Sequence, residues 1–306
     1  MKVMVTGADG LVGKELVRQL KAQNYSIVAT DITLEHPEGE GNLVFYYLDV
    51  NDIVAVIDAI KDEKPDVIVH MAALVGGKPS TKNPYLYIET NTMGTVNILE
   101  AMREAGVKNL IYLSSWSTYG AIKEEQLPIT EWTHQHPENP YGVSKVMAEY
   151  AIRTYAEQYG FKVAILRCTA IYGPNQTESY IINDLVDCMV SGETFELWGD
   201  GAHTREMLYV SDVADAIIKA IEYVPSMEFP WEHFIVGTGK PYKIKHIAHL
   251  AQSIAPFELK LVPSSKWVFN QRSNITCVKK KLGWSPKVGV REGLTRCLEA
   301  RQKREE

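Results

Sequence analysis

The sequence predicts a doubly wound parallel α/β sheet with a smaller C-terminal α+β lobe. Short apolar runs alternate with helical patterns through the first half of the chain, which is the arrangement of repeated βαβ units. The runs are almost continuously hydrophobic, as strands covered by helices on both faces are. A glycine-rich turn joins the first run to the first helical pattern, and after Gly173 the alternation becomes irregular.

The individual elements follow from the same periodicity. The predicted strands are Lys2–Thr6, Ser26–Thr30, Leu43–Leu48, Asp66–Met71, Asn109–Ser114 and Lys162–Arg167. The predicted helices of this half are Leu11–Gln23, Ile53–Lys61, Tyr85–Ala105 and Tyr141–Tyr159. Beyond them, prolines separate the helical patterns Ile181–Val190, Val213–Glu222, Ile244–Ile254 and Gly293–Arg301. We therefore expect a sheet domain at residues 1–170, joined by some later segments, and a lobe formed mainly by residues 171–306.

The composition excludes several classes of protein. The chain has 306 residues, 45% of them hydrophobic and 23% charged, as in ordinary globular proteins. A net charge of -6 argues against nucleic acid as the main partner, and no apolar run approaches the roughly 18 residues of a membrane span. No CxxC pair occurs among the four cysteines, so we expect reduced thiols and no metal site. Because the start MKVMVTG reads as a strand and not as a signal peptide, we expect a cytoplasmic location.

A glycine-rich segment lies between the first predicted strand and the first predicted helix. Thr6–Gly13 reads TGADGLVG, with glycines at positions 7, 10 and 13. Glycine lets backbone N–H groups approach a pyrophosphate, and the helix N-terminus adds partial positive charge. Turns are rich in glycine in any case, and the spacing is GxxGxxG, not GxGxxG. The place of the trio in a βαβ unit nevertheless favours a dinucleotide-binding loop.

Two acids follow predicted strands in the same half. Asp31 ends the second strand, where a carboxylate accepts hydrogen bonds from the adenosine ribose and repels a 2′-phosphate. No cation stands beside it in the sequence, from Thr30 to Leu34. These features favour NAD over NADP, although Asp31 would also be suited to ending a strand. Asp49-Val50 would lie beside the adenine, or Asp49 would cap the following helix.

Two Tyr-x-x-x-Lys pairs occur, Tyr119…Lys123 and Tyr141…Lys145, so spacing alone does not choose between them. The first lies in a loop. The second follows Asn139-Pro140 at a predicted helix start, where residues i and i+4 share one face. A lysine ammonium one turn away stabilises a tyrosine phenolate and so helps it to act as a base. Ser114-Ser115 stand at the end of the fifth predicted strand, at the sheet edge where ligands bind, although Ser-Ser is also common in turns.

Together these motifs resemble the extended short-chain dehydrogenase/reductases, specifically the NAD-dependent epimerase/dehydratase family of nucleotide-sugar enzymes. The resemblance covers nearly the whole chain and implies a Rossmann-type fold, NAD as cofactor and a nucleotide-sugar substrate. It rests on the following segments: Thr6–Gly13, Asp31, Asp49-Val50, His70–Ala73, Asn91, Ser114–Gly120, Tyr141–Lys145, Ile171–Pro174, Trp198–Asp212 and Leu282–Pro286.

The resemblance also implies residue roles. Tyr141 would be the catalytic base and acid, Lys145 its partner and Ser115 the assisting hydroxyl. Cofactor contacts are implied for Gly7, Gly10, Leu11, Val12, Gly13, Asp31, Asp49, Val50, Met71, Ala72, Ala73, Asn91, Tyr141 and Lys145. Substrate contacts are implied for Ser115, Ser117, Tyr141, Arg205 and Arg272. Arg205 would grip the substrate pyrophosphate, because the guanidinium fork matches two phosphate oxygens. Arg272 would add a second contact or be an ordinary surface arginine.

Departures from the family pattern narrow the expected activity. Sugar 4,6-dehydratases carry an Asp-Glu pair directly after the catalytic hydroxyl residue, and Trp116 and Ser117 stand there in this chain, so dehydration is not expected. Val75–Gly77 resembles the GDP-fucose synthase branch. That branch has a cysteine near the serine and a basic NADP pocket, and the sequence indicates neither here.

We expect a nucleotide-sugar epimerase that inverts C4 of a UDP-hexose through a transient 4-keto sugar. A 4-keto-sugar reductase or a decarboxylating dehydrogenase on the same scaffold remains open. A non-catalytic dinucleotide sensor is also open, but the joint presence of Ser115, Tyr141 and Lys145 argues against it. In relatives the helices matching Tyr85–Ala105 and Tyr141–Tyr159 pair into a four-helix bundle, so the resemblance implies a homodimer.

Overall fold

The strands and helices are taken from a computed structural model, which describes residues 1–33, 41–174, 176, 180–263 and 269–305. Leu34, part of the expected cation-free flank of Asp31, lies outside these ranges. The strands are β1 Lys2–Thr6, β2 Ser26–Asp31, β3 Leu43–Tyr47, β4 Val67–His70, β5 Asn109–Ser115, β6 Lys162–Cys168, β7 Ala170–Tyr172, β8 Phe195–Trp198, β9 Thr204–Arg205, β10 Met207–Tyr209, β11 Trp231–Val236, β12 Tyr242–Lys243 and β13 Leu259–Val262. The helices are α1 Leu11–Ala22, α2 Ile53–Glu63, α3 Gly77–Ser80, α4 Pro84–Ile88, α5 Gly94–Ala105, α6 Pro140–Tyr159, α7 Ile181–Ser191, α8 Val210–Tyr223, α9 Ile244–Ile254, α10 Thr276–Leu282 and α11 Val290–Glu305.

Seven parallel strands form the central sheet in the order β11-β6-β5-β4-β1-β2-β3. This confirms the predicted fold class and all six predicted strands. The sequence order reverses between β1 and β4, and ligands of such sheets bind outside the carboxyl ends of the strands at that point. The seventh strand, β11, was missed because Glu232 and His233 interrupt its apolar pattern.

Helices cover both faces of the sheet. One buried cluster joins the sheet to α1, α8 and α10 through residues such as Leu16, Ile217 and Val278. A second cluster joins the other face to α2, α5 and α6. Each apolar side chain removed from water contributes about 1.5–3 kcal/mol, so the two clusters fix the positions of the strand ends.

The later part of the chain forms a third core around α7, α9 and α11. Three two-stranded pairs accompany these helices: β7 with β10, β8 with β13 and β9 with β12. This agrees with the expected α+β lobe, although β11, α8 and α10 pack in the sheet layers. None of the helices in the described parts of the chain combines the length and apolar character that crossing a membrane requires.

The helix predicted over Tyr85–Ala105 is not regular. The chain runs from α4 through a π-helical stretch, Glu89–Met93, into α5. A π-turn inserts an extra residue and is frequent at functional sites. Periodicity did not reveal it, since one added residue shifts the apolar pattern by only part of a turn. The stretch contains Asn91, which lies at the carboxyl edge of the sheet.

Candidate active site

The glycine loop lies at the carboxyl end of β1. Gly7 has a φ of +72°, and a Cβ added there would lie 2.7 Å from the Ala72 nitrogen. A Cβ on Gly13 would lie 2.6 Å from the Ala8 carbonyl carbon and would also collide with the Gly7 oxygen. Helix α1 follows Gly10, and no side chain of the described residues caps it. Its first N–H groups, including those of Leu11 and Val12, are therefore available to an anion.

Asp31 ends β2 directly beside this loop. Its carboxylate accepts hydrogen bonds from the backbone nitrogens of Asp9 at 2.9 Å, Ile32 at 2.8 Å and Thr33 at 3.3 Å. These bonds hold the acid in place and leave further lone pairs for hydroxyl donors. Asp9 adds a second carboxylate, whose charge is offset by Lys14 at 2.9 Å. The local charge therefore suits a ribose diol better than a phosphate.

The segment after β3 corrects one of the two interpretations of Asp49. The cap of α2 is Asp52, which accepts from the nitrogens of Val54 and Ala55. Asp49 instead accepts from the Asn51 nitrogen at 2.9 Å in the preceding turn. Since Asp49 is not the helix cap, its expected place beside a base stays a prediction. Val50 is buried, and its carbonyl accepts from Asn97 at 2.9 Å.

A buried chain of hydrogen bonds connects β1 to the π-helical stretch. Thr6 Oγ1 accepts from the nitrogens of Met71 and Ala72, both at 3.2 Å, so its proton is left for His70 Nδ1 at 2.7 Å. His70 Nε2 then donates to Thr95 Oγ1 at 3.1 Å, and Thr95 donates to the Asn91 carbonyl. Burial, with the positive charge of Lys145, lowers the pKa of His70 to about 3, which agrees with this neutral tautomer.

Asn91 anchors the loop that follows β4. Its amide accepts from the Leu74 nitrogen at 2.8 Å and donates to the Leu74 carbonyl at 2.9 Å. It also donates to Ser144 Oγ at 2.9 Å. The loop that begins with Met71, Ala72 and Ala73 is thus fixed to both the π-helical stretch and α6. The contact between Asn91 and a cofactor that the sequence implied stays a prediction, and the structure shows that the Asn91 side chain bridges the loop and α6.

Helix α6 begins beside the end of β5. Asn139 caps it by accepting from the Gly142 nitrogen at 2.9 Å, and Pro140 occupies its first turn. A Cβ on Gly142 would collide with the Ser117 carbonyl oxygen, so glycine permits this close approach. The approach brings Tyr141 close to the Ser115 hydroxyl. Ser115 Oγ also accepts from the Ser117 nitrogen at 3.1 Å.

Lys145 lies one turn further along α6 and is buried. Its ammonium donates to the Leu113 carbonyl at 2.9 Å and lies 4.8 Å from the centroid of the Tyr112 ring. Burial lowers the pKa of Lys145 to about 8, against the opposing effect of the negative charge of Glu149. Burial also raises the pKa of Tyr141, and the neighbouring Ser115 hydroxyl offsets part of that rise. A phenolate at Tyr141 therefore needs positive charge close by.

The other Tyr-x-x-x-Lys pair lies elsewhere. Tyr119 is fully buried, and its hydroxyl accepts from Arg167 at 2.9 Å and donates to the Thr130 carbonyl at 3.2 Å. Lys123 precedes a short 3₁₀ turn outside this cluster. Only the Tyr141…Lys145 pair combines the i,i+4 helical geometry with the carboxyl edge of the sheet.

Arg205 and Arg272 have different surroundings. Arg205 lies in β9, donates to the carbonyls of Thr204 and Phe269, and stacks 4.6 Å from the Phe269 ring centroid. Burial lowers its pKa to about 10, and no carboxylate of the described residues forms a salt bridge with it. Arg272 is exposed and donates to the Leu127 carbonyl at 3.2 Å. A partly buried guanidinium without a salt bridge favours a bound anion, so Arg205 is a better candidate for anion binding than the exposed Arg272.

Two residues that sequence analysis did not select lie next to this cluster. Cys168 pairs in register with Ser115, a proximity in space that the sequence did not reveal. Burial raises the pKa of the Cys168 thiol to about 12, so it remains neutral. Glu149 lies one turn after Lys145 and is fully buried. Its i+4 spacing was visible in the sequence. The strand pairing that brings Cys168 close was not.

Comparison with known proteins places the chain in a family. Residues 3–237 match the NAD dependent epimerase/dehydratase family, and the chain belongs to it. A putative UDP-glucose 4-epimerase of Methanocaldococcus jannaschii is 30% identical over 97% of both chains. The UDP-glucose 4-epimerase of Thermotoga maritima, solved with UDP-glucose, superposes with a TM-score of 0.91, 28% identity and full coverage of both chains. The Thermus thermophilus UDP-glucose 4-epimerase, solved with NAD, has a TM-score of 0.87, 26% identity and 99% coverage of both chains.

The cofactor of this family fits the observed loop. NAD carries a pyrophosphate, for which the uncapped N-terminus of α1 and the two crowded glycines provide a close backbone approach. It also carries a free adenosine ribose diol, for which Asp31 is a fixed acceptor. The chain is thus a member of an NAD-dependent family of nucleotide-sugar epimerases. Within the described ranges, no group of three or more His, Cys, Asp or Glu side chains is arranged to hold a metal ion.

Proposed function

We propose that the chain inverts C4 of a UDP-hexose through a transient 4-keto sugar, with no net consumption of NAD. The observation that carries the proposal is the position of Tyr141 beside Ser115, one helical turn from a buried Lys145 and on the same sheet edge as the glycine loop. The names of the relatives, which include UDP-glucose 4-epimerases, support this choice of substrate and carbon.

The proposed chemistry assigns one task to each side chain. NAD, held by the glycine loop and Asp31, would supply the hydride chemistry that oxidises the sugar and reduces it again. Tyr141 removes the proton of the 4-hydroxyl. It returns the proton to the same oxygen after the keto sugar has rotated to present its other face. Ser115 holds that oxygen by a hydrogen bond, and the Lys145 ammonium lowers the cost of the phenolate. Arg205 holds the substrate diphosphate, which lets the sugar rotate without leaving the protein.

The cofactor contacts are proposed along the same edge. The loop from Gly7 to Gly13, with Gly10, Leu11 and Val12, would hold the pyrophosphate, and Asp31 the adenosine ribose. Residues further along the edge would line the remainder of the cofactor. They are Asp49, Val50, Met71, Ala72, Ala73 and Asn91. Ser117 and Arg272 are proposed as secondary substrate contacts, Arg272 with less structural support because of its exposure.

A panel of nucleotide sugars tests the proposed function. UDP-, GDP-, dTDP- and CDP-hexoses are incubated with the protein. The products are separated by chromatography, and their molecular masses are measured by mass spectrometry. We expect a UDP-hexose to give an isomer of unchanged mass. A product two mass units heavier or lighter, with matching change in NADH, would favour a reductase or dehydrogenase instead. UDP-glucuronic acid is assayed in parallel, and loss of carbon dioxide from this carboxylated sugar would favour the decarboxylating alternative.

We also propose that two copies of the chain associate through α4, α5 and α6. Large apolar side chains are exposed at one-turn and two-turn spacings on α4, on the π-helical stretch that joins α4 to α5, and on α6: Tyr85, Leu86, Met93, Val143, Met147 and Tyr150. Such spacing produces an apolar stripe that packs well in a helical bundle. Light scattering is expected to give twice the chain mass of 34.4 kDa, and Met147→Glu to weaken the association. A mass of one chain across the concentration range would contradict the homodimer.

A further inference from the structure

Glu149 lies behind the candidate active site, on the same helix as the proposed catalytic pair. It comes one turn after Lys145 and two turns after Tyr141. Its side chain is fully buried. The proposed mechanism does not use it. A buried carboxylate carries a large desolvation cost, so its position and its partners call for a physical explanation.

The Glu149 carboxylate accepts five hydrogen bonds. Arg167 donates twice, at 3.0 and 2.5 Å, and Arg153 once at 3.1 Å. Gln135 donates at 2.9 Å and the Ser114 hydroxyl at 2.6 Å. Burial alone would raise the pKa of Glu149, but the bonds from Arg167 and Ser114 bring it below its ordinary value. The carboxylate is therefore ionised and held on all sides.

These bonds reach the strand end on which the candidate catalytic groups stand. Ser114 immediately precedes Ser115, and the carbonyl of Leu113 is the acceptor for the Lys145 ammonium. Arg167 lies on the neighbouring strand, in register with Ser114. The single carboxylate thus ties α6 to the ends of β5 and β6. A shift of Glu149 would move the acceptor of Lys145 and the hydroxyl of Ser115 together.

The charges around Lys145 single out Glu149. The ammonium is faced by His70 on β4, Tyr112 on β5 and Cys168 on β6. Burial lowers the pKa of His70 and raises the pKa values of Tyr112 and Cys168, so all three are neutral at neutral pH. Tyr141 and Glu149 face it from its own helix. Glu149 is therefore the negative charge that favours the protonated amine, against a burial that disfavours it.

We propose that Glu149 is a positioning residue that keeps the Lys145 amine protonated and fixed to the end of β5, so that Tyr141 can ionise. The inference rests on the proposed roles of Tyr141 and Lys145. It goes beyond them because it assigns the charge state of the lysine to a carboxylate that touches neither cofactor nor substrate. A merely structural Glu149 would support the fold without affecting the ionisation of Tyr141.

The test measures the ionisation of Tyr141 directly in the NAD-loaded protein. Phenolate absorbance is followed against pH, and the spectrum of the matching Tyr141→Phe protein is subtracted. In Glu149→Gln we expect the midpoint of the Tyr141 titration to rise by about one pH unit or more, the size of shift that loss of a neighbouring charge produces. Removing the carboxylate charge would by itself favour the phenolate and lower the midpoint, so a rise in the midpoint reports the loss of the protonated Lys145 and not a direct effect of Glu149.

Two further variants keep the result interpretable. Asp212→Asn removes another buried carboxylate, which accepts from the nitrogens of Lys287 and Val288 at 3.0 and 2.9 Å, and is expected to leave the midpoint unchanged. If Glu149→Gln does not fold, Glu149→Gln with Arg167→Met avoids an unpaired buried guanidinium and is expected to raise the midpoint in the same direction. A midpoint within 0.3 unit of wild type, about a twofold change in the equilibrium, would overturn the inference. This readout needs no sugar, so it stands whether or not UDP-hexoses are epimerised.

Discussion

Replacing Gly13 with alanine tests whether the glycine loop holds the cofactor. The added methyl group would lie 2.6 Å from the Ala8 carbonyl carbon, whereas ordinary contacts begin at 3.4 Å. The loop and the start of α1 must therefore separate by at least about 0.8 Å, the difference between these two distances, because the Gly7 oxygen lies closer still. The obstacles are backbone atoms, so no side chain can rotate to relieve the collision. The shift moves the N–H groups at the start of α1 away from a bound pyrophosphate.

The expected loss of affinity follows from those hydrogen bonds. A hydrogen bond to a charged group contributes about 1.5–3 kcal/mol, so losing one or two weakens NAD binding by about 100-fold. Calorimetric titration with NAD measures this loss, and thermal unfolding without NAD checks that the variant is folded. Gly289→Ala is the matched control, because a Cβ there meets nothing within 4 Å. Affinity within threefold of wild type in a folded Gly13→Ala protein would refute the proposed role of the loop.

Three other predictions concern the cofactor, the substrate and the chemistry. NAD should bind far more tightly than NADP, because Asp9 and Asp31 would face a 2′-phosphate; equal affinities in calorimetry would contradict this. Arg205→Met should weaken UDP-sugar binding by at least about tenfold, from the loss of a charge-assisted hydrogen bond, with NAD content intact; unchanged KM would remove Arg205 from the substrate site. Tyr141→Phe should bind NAD within a few-fold of wild type and lose about 10²–10⁴ in kcat, as expected for a general acid and base; full activity would reject the catalytic assignment.

Much of the fold could be predicted because both strand and helix patterns are regular in the first half of the chain. The bounds of β1 match the predicted Lys2–Thr6, and α9 matches the predicted Ile244–Ile254. Strand β11 could not be found in this way, since pairing with β6 and not its own sequence makes it a strand. Helix α10 was missed for a similar reason, because its seven residues are too few for a clear period.

The residues of the candidate site also fall into two groups, those that local motifs predict and those that only long-range contacts reveal. Sequence motifs located Gly7, Asp31, Ser115, Tyr141 and Lys145, since each is tied to the end of a strand or the start of a helix. The supporting groups depend on contacts between distant segments. The pairing of Ser115 with Cys168 requires the strand register, and the chain from Thr6 through His70 to Asn91 requires three elements to meet. Local periodicity carries no information about such contacts.

The most direct test of the proposed epimerisation follows a single hydrogen atom. UDP-glucose deuterated at C4 is incubated with the NAD-loaded protein, and the isomeric product is analysed by mass spectrometry while NADH is monitored by absorbance. If Tyr141 handles only the proton and the hydride returns to the carbon it left, the product keeps its deuterium at C4 and no NADH accumulates. Release of NADH in proportion to product, or loss of the deuterium to solvent, would contradict the account.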